Sequence, residues 1–439
     1  MKKIFALAGA SLLALSSSQP VFADSPGEVE VLRQQVQELL KRIDKLEKKT
    51  EATQQAHDKN LKVTSGSKNV SLQISGQVNR KVMAVHDGNR SRVKHVDGGM
   101  SPTSFEFHAK AKLNQDTKVG AVWEVGVNEN SSSSVAAGKS FSSTDSNNIN
   151  NRHLYIYGES DRYGRLSMGH LGEATYGVME DNDLSGTSLV LSGASHSDVA
   201  GGHRFFNSAT NSHATGNDGE GISVEDVIDG FDGNRRDVIR YDTPIWQGLQ
   251  ASVSHSGRSA DTNAFAIRYE GKIYGVKVAT AAGYANVKGH MTDTAQVGTR
   301  KTAYNQYNGS IGVLLPCGLN FYLAGGRRDH SNAALKRGSM WSTKIGYRTN
   351  FFEWGETAFS LDYGEFNDLF ATRNMPDDKF KAKAFGFALV QSIDQISTDV
   401  YFGVKRYVLD ANTIEHAGSE VNAEYKGITA FLAGARLKF

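Results

Sequence analysis

From Val70 onward, apolar and polar residues take turns along the chain. Val70, Leu72, Ile74, Gly76 and Val78 alternate with Ser71, Gln73, Ser75, Gln77 and Asn79. Phe105, Phe107, Ala109, Ala111 and Leu113 alternate with Glu106, His108, Lys110, Lys112 and Asn114. Val119, Ala121, Trp123, Val125 and Val127 begin a third run after a tight turn. A repeat of two places each set on one face of a strand. The first two runs are separated by what reads as a long polar loop. Further strands are expected near 151–159, 164–171, 235–242, 248–257, 262–270, 273–284, 302–314, 319–328, 338–348, 355–364, 381–392, 396–408 and 428–439. That makes sixteen, with fourteen and eighteen as alternatives. Short turns such as Asn114-Gln115-Asp116 alternate with long polar connections.

The last strand keeps the rhythm to its end. Phe439, Leu437, Ala435, Ala433 and Phe431 share one face, and Lys438, Arg436 and Gly434 share the other. The edge of a soluble sheet would read this way. So would the closing strand of a transmembrane barrel, greasy toward lipid and polar toward a wet lumen. The opposite end of the chain favours the barrel. Met1-Lys2-Lys3 is cationic, Ile4 to Leu15 is apolar, and Val21-Phe22-Ala23 suits a cleavage site, so residues 1–23 read as a secretory signal. No later window approaches eighteen consecutive apolar residues, which excludes a membrane-spanning helix.

Between signal and strands the period changes. Val29, Leu32, Val36, Leu39, Ile43 and Leu46 alternate spacings of three and four, with β-branched residues at a and Leu at d. Residues 24–56 are therefore expected to form a coiled-coil helix facing the periplasm, with a single amphipathic helix as the alternative. Arg42 and Glu47 stand where they would pair across chains. Residues 57–68 read as a polar linker before a barrel over 69–439. The fold class is thus all-β, an antiparallel transmembrane barrel preceded by a short helix.

Forty-five Gly, sixteen Tyr and twenty-one Phe against six Pro suit many strands with tight turns and aromatic girdles. The 49 basic and 47 acidic residues leave the chain near neutrality, which excludes nucleic acid as a partner. Cys317 sits in the turn Leu315-Pro316-Cys317-Gly318 and has no second cysteine to pair with. His86, His95, His196, His203 and His213 are scattered without a legible Ser or Asp partner, so no enzyme is expected. No Cys/His spacing suggests a metal, and Asp226 to Asp232 does not match a calcium loop. No cofactor is expected either.

Two segments carry a family likeness. Asn151-Arg-His-Leu-Tyr-Ile-Tyr-Gly-Glu-Ser-Asp-Arg-Tyr-Gly-Arg-Leu-Ser-Met-Gly-His170 resembles the fourth and fifth strands of Gram-negative general porins. Arg240-Tyr-Asp-Thr-Pro-Ile-Trp-Gln-Gly-Leu249 resembles the hairpin that follows in that family, and the final strand is similar as well. The likeness covers about 69–439. It implies a sixteen-stranded homotrimer in the outer membrane, among lipid and lipopolysaccharide, inserted by the barrel-assembly machinery. It also implies a constriction loop, here about 172–234, whose first half folds into each lumen with Glu180, Asp181 and Asp183 as its acids. The loop is longer than usual for the family, so part of it is expected to project outward, and a solvated surface loop is the alternative. Where many general porins have Arg at the end of the fifth strand, this chain has His170. A helix in front occurs in some porins, including ones associated with dicarboxylate uptake.

The alternation assigns a wall. Lys81, Lys110, Lys112, Arg236, Arg240, Arg328, Lys344, Arg348, Lys405, Arg436 and Lys438 fall on lumen-facing positions. Glu106, Glu124, Asp242, Asp362 and Asp399 oppose them. A wall more basic than acidic concentrates anions, so a passive channel with a mild anion preference is expected, and the likeness to helix-bearing porins implies dicarboxylates among its solutes. The rival reading is an envelope tether or adhesin, with the helix touching peptidoglycan and the Ser/Asn-rich loops meeting outside partners.

Overall fold

The computed structural model describes residues 63–64, 69–127, 130–136, 149–213, 221–257, 261–288, 303–331, 336–369, 380–411, 413–416, 419–422 and 424–439. The expected signal, the heptad helix and nearly all of the linker lie outside these residues. Val63–Thr64 pairs antiparallel with Ser71 and Leu72.

The strands are β1 (Val70–His86), β2 (Ser91–Asp97), β3 (Ser104–Lys112), β4 (Thr117–Val127), β5 (Ile149–Ser160) and β6 (Gly164–Gly172). After a long connection come β7 (Arg235–Asp242), β8 (Leu249–Ser256), β9 (Thr262–Ile273), β10 (Val276–Val287) and β11 (Tyr304–Leu314). The rest are β12 (Leu319–His330), β13 (Gly338–Phe352), β14 (Gly355–Asn367), β15 (Phe380–Ile393), β16 (Thr398–Ala411) and β17 (Ile428–Lys438). β2 and β3 lie end to end along the same edge of β1, against Arg80–His86 and Val70–Gln77 respectively, so they form one stave in two pieces. Each stave pairs antiparallel with the next, and β17 returns to β1 from Gln77↔Lys438 to His86↔Thr429. The result is a closed sixteen-stranded barrel, in which no sheet edge is left open.

One expectation is corrected. The stretch after Asn79 is not a long polar loop. β1 runs on to His86, turns where the Asp87 Oδ1 accepts the Asn89 and Arg90 amides at 3.0 and 2.7 Å, and returns as β2. The alternation fades there because both faces are apolar: Val82 looks outward, while Met83 and Val85 are buried inward. The inner face of this barrel meets protein as well as water.

Outward positions carry exposed apolar residues, among them Val82, Trp123, Ile156, Phe265, Ile311, Phe321, Ile345, Phe387 and Phe402. Aromatic rings meet across neighbouring strands on this outer face, Tyr284 with Tyr307 at 5.2 Å, Trp341 with Tyr363 at 5.1 Å and Tyr347 with Phe359 at 5.7 Å. Such exposure is favourable only against lipid. Leu437 faces outward with them, and Phe439 packs on Phe105 at 5.7 Å. Phe439 and Gly76 also exchange both backbone hydrogen bonds, at 2.9 and 3.0 Å, and so finish the seam. Cys317 is exposed, in a turn closed by the Gly318 amide donating to Leu315 at 2.9 Å.

A side chain at Gly76 would meet the Ser104 carbonyl at 2.7 Å and the Phe439 ring at 2.8 Å. Gly76→Val is therefore expected to weaken the seam by about 1–3 kcal/mol, the scale of overpacking a tight site. The check is a lowered temperature at which the compact detergent-gel band converts to the unfolded one.

Candidate functional site

The described residues of the connection between β6 and β7, 173–213 and 221–234, pack inside the barrel. They set an apolar cluster, with Met179, Leu191, Phe205, Ile228 and Phe231, against inward Met83, Val85, Tyr322, Phe366, Tyr407 and Leu432. Wall glycines allow the close approach. A Cβ on Gly312 would strike the Asn182 carbonyl at 1.8 Å, and one on Gly403 would strike Val190 at 2.8 Å. Near its tip the loop bonds to the connection before β17, with the Ser208 amide donating to Glu424 at 2.9 Å and the Lys426 amide to Phe206 at 2.8 Å. His213 meets Asp87 of the first turn at 3.1 Å.

Loop backbone buried in a lumen needs partners for its carbonyls. Wall side chains supply them. The Arg240 Nη1 donates to the Gly172 and Glu173 carbonyls at 3.2 and 3.1 Å. The Arg268 Nη2 donates to those of Ala174 and Tyr176, both at 2.7 Å. Ser310 donates to the Val178 carbonyl at 2.6 Å, and the Tyr322 hydroxyl donates to that of Met179. Farther round, the Lys344 Nζ reaches the Leu191 carbonyl at 2.6 Å, and the Arg348 Nη1 reaches that of Leu184 at 3.0 Å. Tyr407 directs its hydroxyl at His196 and Val199 at 2.6 and 2.5 Å. Gln306 and Asn308 both donate to the Phe231 carbonyl, at 2.8 and 2.6 Å.

The sequence-assigned wall cations consequently divide into groups. Lys81, Lys344 and Lys405 are buried behind the loop. Lys344 pairs with Asp183 at 2.8 Å, and Lys405 pairs with Asp362 beside His196. Arg236 pairs with Glu173, and Arg240 with Asp242 at 2.8 Å. Lys110 and Lys112 stand exposed at the end of β3.

The loop acids separate in the same way. Asp183 is consumed by Lys344. Glu180 accepts a hydrogen bond from Ser195, and burial, reinforced by Asp232, holds its pKa well above the carboxylate range. Asp181 alone of the three has an exposed surface; partial burial raises its carboxyl above the ordinary value, and the charges of Arg268 and Arg240 on the wall oppose that shift. Gly177, at φ 79°, leaves the space its carboxylate occupies.

The half of the lumen wall next to Asp181 carries residues that the sequence reading did not single out. Arg152 bonds Glu124 at 2.7 Å, and Arg235 bonds His153 at 3.3 Å and also the Tyr176 hydroxyl. Arg165 lies 3.8 Å from the centroid of Tyr157 and bonds the Tyr155 hydroxyl at 3.2 Å. Arg152 was hidden by a bulge, since the partner of Glu124 is His153 while that of Val125 is Asn151. Arg165 and Arg268 were legible, because Leu166, Met168 and Ile267 mark the outward phase around them.

A family model described as Gram-negative porin matches residues 10–412. The chain belongs to the Gram-negative porins. Among solved structures it is similar to an anion-selective porin from Comamonas acidovorans, at 15% identity and TM-score 0.55, covering 84% of this chain and 100% of that one. It is similar to the trimer form of OmpT, an outer membrane protein of Vibrio cholerae, at 10% identity and TM-score 0.51, covering 84% and 99%. It is also similar to OmpF of Salmonella typhi in complex with daunomycin, at 11% identity and TM-score 0.50, covering 84% and 98%. At these identities the likeness establishes the fold. A comparison with curated protein sequences finds no match. Family and barrel together place the chain in the outer membrane as a channel.

Removing one partner of a buried ion pair leaves a bare charge, at a cost of about 3–5 kcal/mol. Lys344→Met in this porin should therefore loosen the loop and raise the variance of single-channel current, and Asp183→Asn added to it should restore a quiet channel. A pH effect follows from Asp198 and Asp232, which burial raises to about 7. Both sit above their ordinary 3.8, so their support for docking is complete below that value and fades as pH rises through about 7. Hydrogen exchange of loop amides, corrected for the intrinsic rate, should be slower at pH about 5.5 than at about 8.5.

Proposed function

We propose that this porin is a passive channel for small hydrophilic solutes with a preference for anions, dicarboxylates among them. The observation carrying this is the set of guanidinium groups on one side of the lumen, Arg152, Arg165, Arg235, Arg240 and Arg268, opposite the single exposed acid of the inner loop's first part, Asp181. Fixed positive charge in a narrow low-dielectric passage raises the local concentration of anions and orients them as they pass. Exposed Lys110 and Lys112 extend the positive field toward the short-turn end. The wall lysines behind the loop contribute little, because they are buried as well as matched by carboxylates, whereas paired Arg152 and Arg240 keep part of their surface open.

The functional particle is a homotrimer in this reading. Ala109, Ala111, Ala121 and Gly158 leave a shallow apolar depression of about 690 Å³ on the outer wall of β3 to β7. Small residues there let another barrel approach closely, and the Vibrio cholerae protein to which the chain is similar has a trimer form.

Planar-bilayer recording across a potassium chloride gradient tests the selectivity. The reversal potential should correspond to chloride permeating faster than potassium, and Asp181→Asn should move it further the same way. A potential of the opposite sign would defeat the proposal. Single insertions should close in three equal steps.

A further inference from the structure

We propose that the lumen wall carries a lane for planar aromatic carboxylates, built from His108, Tyr157, Tyr155, His153 and Tyr176 and flanked by Arg165 and Arg235. The inference rests on the channel reading above and names the solute class that this stretch of wall retains.

The five rings form an unbroken series. His108 lies 5.9 Å from Tyr157, Tyr157 lies 6.3 Å from Tyr155, Tyr155 lies 5.9 Å from His153, and His153 lies 6.5 Å from Tyr176. Every step falls in the range over which aromatic rings touch. Four of the rings occupy inward positions of β3 and β5, and the fifth stands at the root of the inner loop. Their outward neighbours Leu154 and Ile156 meet lipid. The lane therefore runs along the wall from the short-turn side to the constriction.

The polar tips of the three tyrosines are occupied. Tyr157 shares a hydrogen bond with the His108 Nε2 at 2.8 Å, Tyr155 accepts from Arg165, and Tyr176 accepts from Arg235. With the tips satisfied, the half-buried rings of His108, Tyr155, His153 and Tyr176 are what the lane offers to a passing solute, while Tyr157 is buried beneath Arg165 and backs them. A guanidinium lies over two of the rings, Arg165 over Tyr157 at 3.8 Å and Arg235 over Tyr176 at 4.8 Å. A guanidinium is a planar fork suited to a carboxylate, and with the Arg165 Nε on Ser167 at 3.3 Å and its Nη2 on Tyr155, the Nη1 is the group left for an incoming anion. The Arg165 side chain is 31% exposed, and its carboxylate neighbour Glu159 stands off at 3.7 Å, so an incoming anion can compete for it.

A solute with a ring and a carboxylate in one plane engages both features. An aliphatic acid engages only the fork, and a neutral arene only the rings. A cluster that merely braces β3 against β5 would distinguish none of them.

The experiment records chloride current through single channels of the purified mature porin while benzoate or cyclohexanecarboxylate is added. These probes share charge and approximate size, but only the first is planar. Benzoate should interrupt the current with dwell times roughly two- to fivefold longer, the scale of one stacking or cation–π contact at a wet site. Arg165→Lys keeps the charge and loses the flat fork, so the ratio of dwell times should fall to about one. Equal dwell times in the unaltered protein overturn the lane, whatever the variant does. A variant that keeps the full ratio overturns the assignment to Arg165. A reversal potential of the wrong sign would defeat the channel reading itself, whereas an anion-preferring pore that treats both acids alike defeats only the lane.

Discussion

Everything distinctive about this lumen depends on wall side chains donating hydrogen bonds to the backbone of the inner loop. A closed barrel satisfies its own ladder and needs no help. The loop does need help, because its carbonyls lie away from bulk water and each unpaired one would cost on the order of 1–3 kcal/mol. Arg240, Arg268, Ser310, Tyr322, Lys344, Arg348 and Tyr407 meet that need at successive points round the wall. A polar lumen is thus both the passage for solute and the surface on which the loop is held.

That arrangement divides the barrel. On the side of β11 to β17 the loop brings its own apolar cluster, and the wall answers with Tyr322, Phe366, Tyr407 and Leu432. Cations there are spent on anchoring, as with Lys344 on Asp183 and Lys405 on Asp362. On the side of β3 to β9 the arginines keep part of their surface open beside tyrosine and histidine rings. A charge census of the whole wall would therefore misjudge the passage, since burial converts some wall charges into structural pairs and leaves others to act on solute. The loop acids follow the same logic. Burial lifts the carboxyls of both Glu180 and Asp181. Neighbouring acids, Asp232 first, reinforce the shift at Glu180, whereas Arg268 and Arg240 oppose it at Asp181, which is also the one with an exposed surface.

Strand alternation, the closing aromatic strand and the count of sixteen were legible from residue order, because a period of two with one lipid-facing side leaves little freedom. Lys344 and Lys405 could be placed on the inner face from the alternation with outward Ile345 and Phe402. What they touch could not be foreseen. Their partners Asp183 and His196 lie in the loop, 161 and 209 residues away along the chain. Arg152 escaped because one bulged residue reverses the faces that alternation assigns. The end of β1 escaped for a different reason: Met83 and Val85 are apolar where the rule for a watery lumen expects polar residues.

Residue order alone therefore determined the barrel, its lipid-facing surface and, away from the bulge at Arg152, which side chains face inward, since each follows from local periodicity and solvent preference. Only the tertiary structure decided which inward charges remain available to solute. That choice depends on where a long loop comes to rest, and on the desolvation and pairing it imposes on residues far away in sequence.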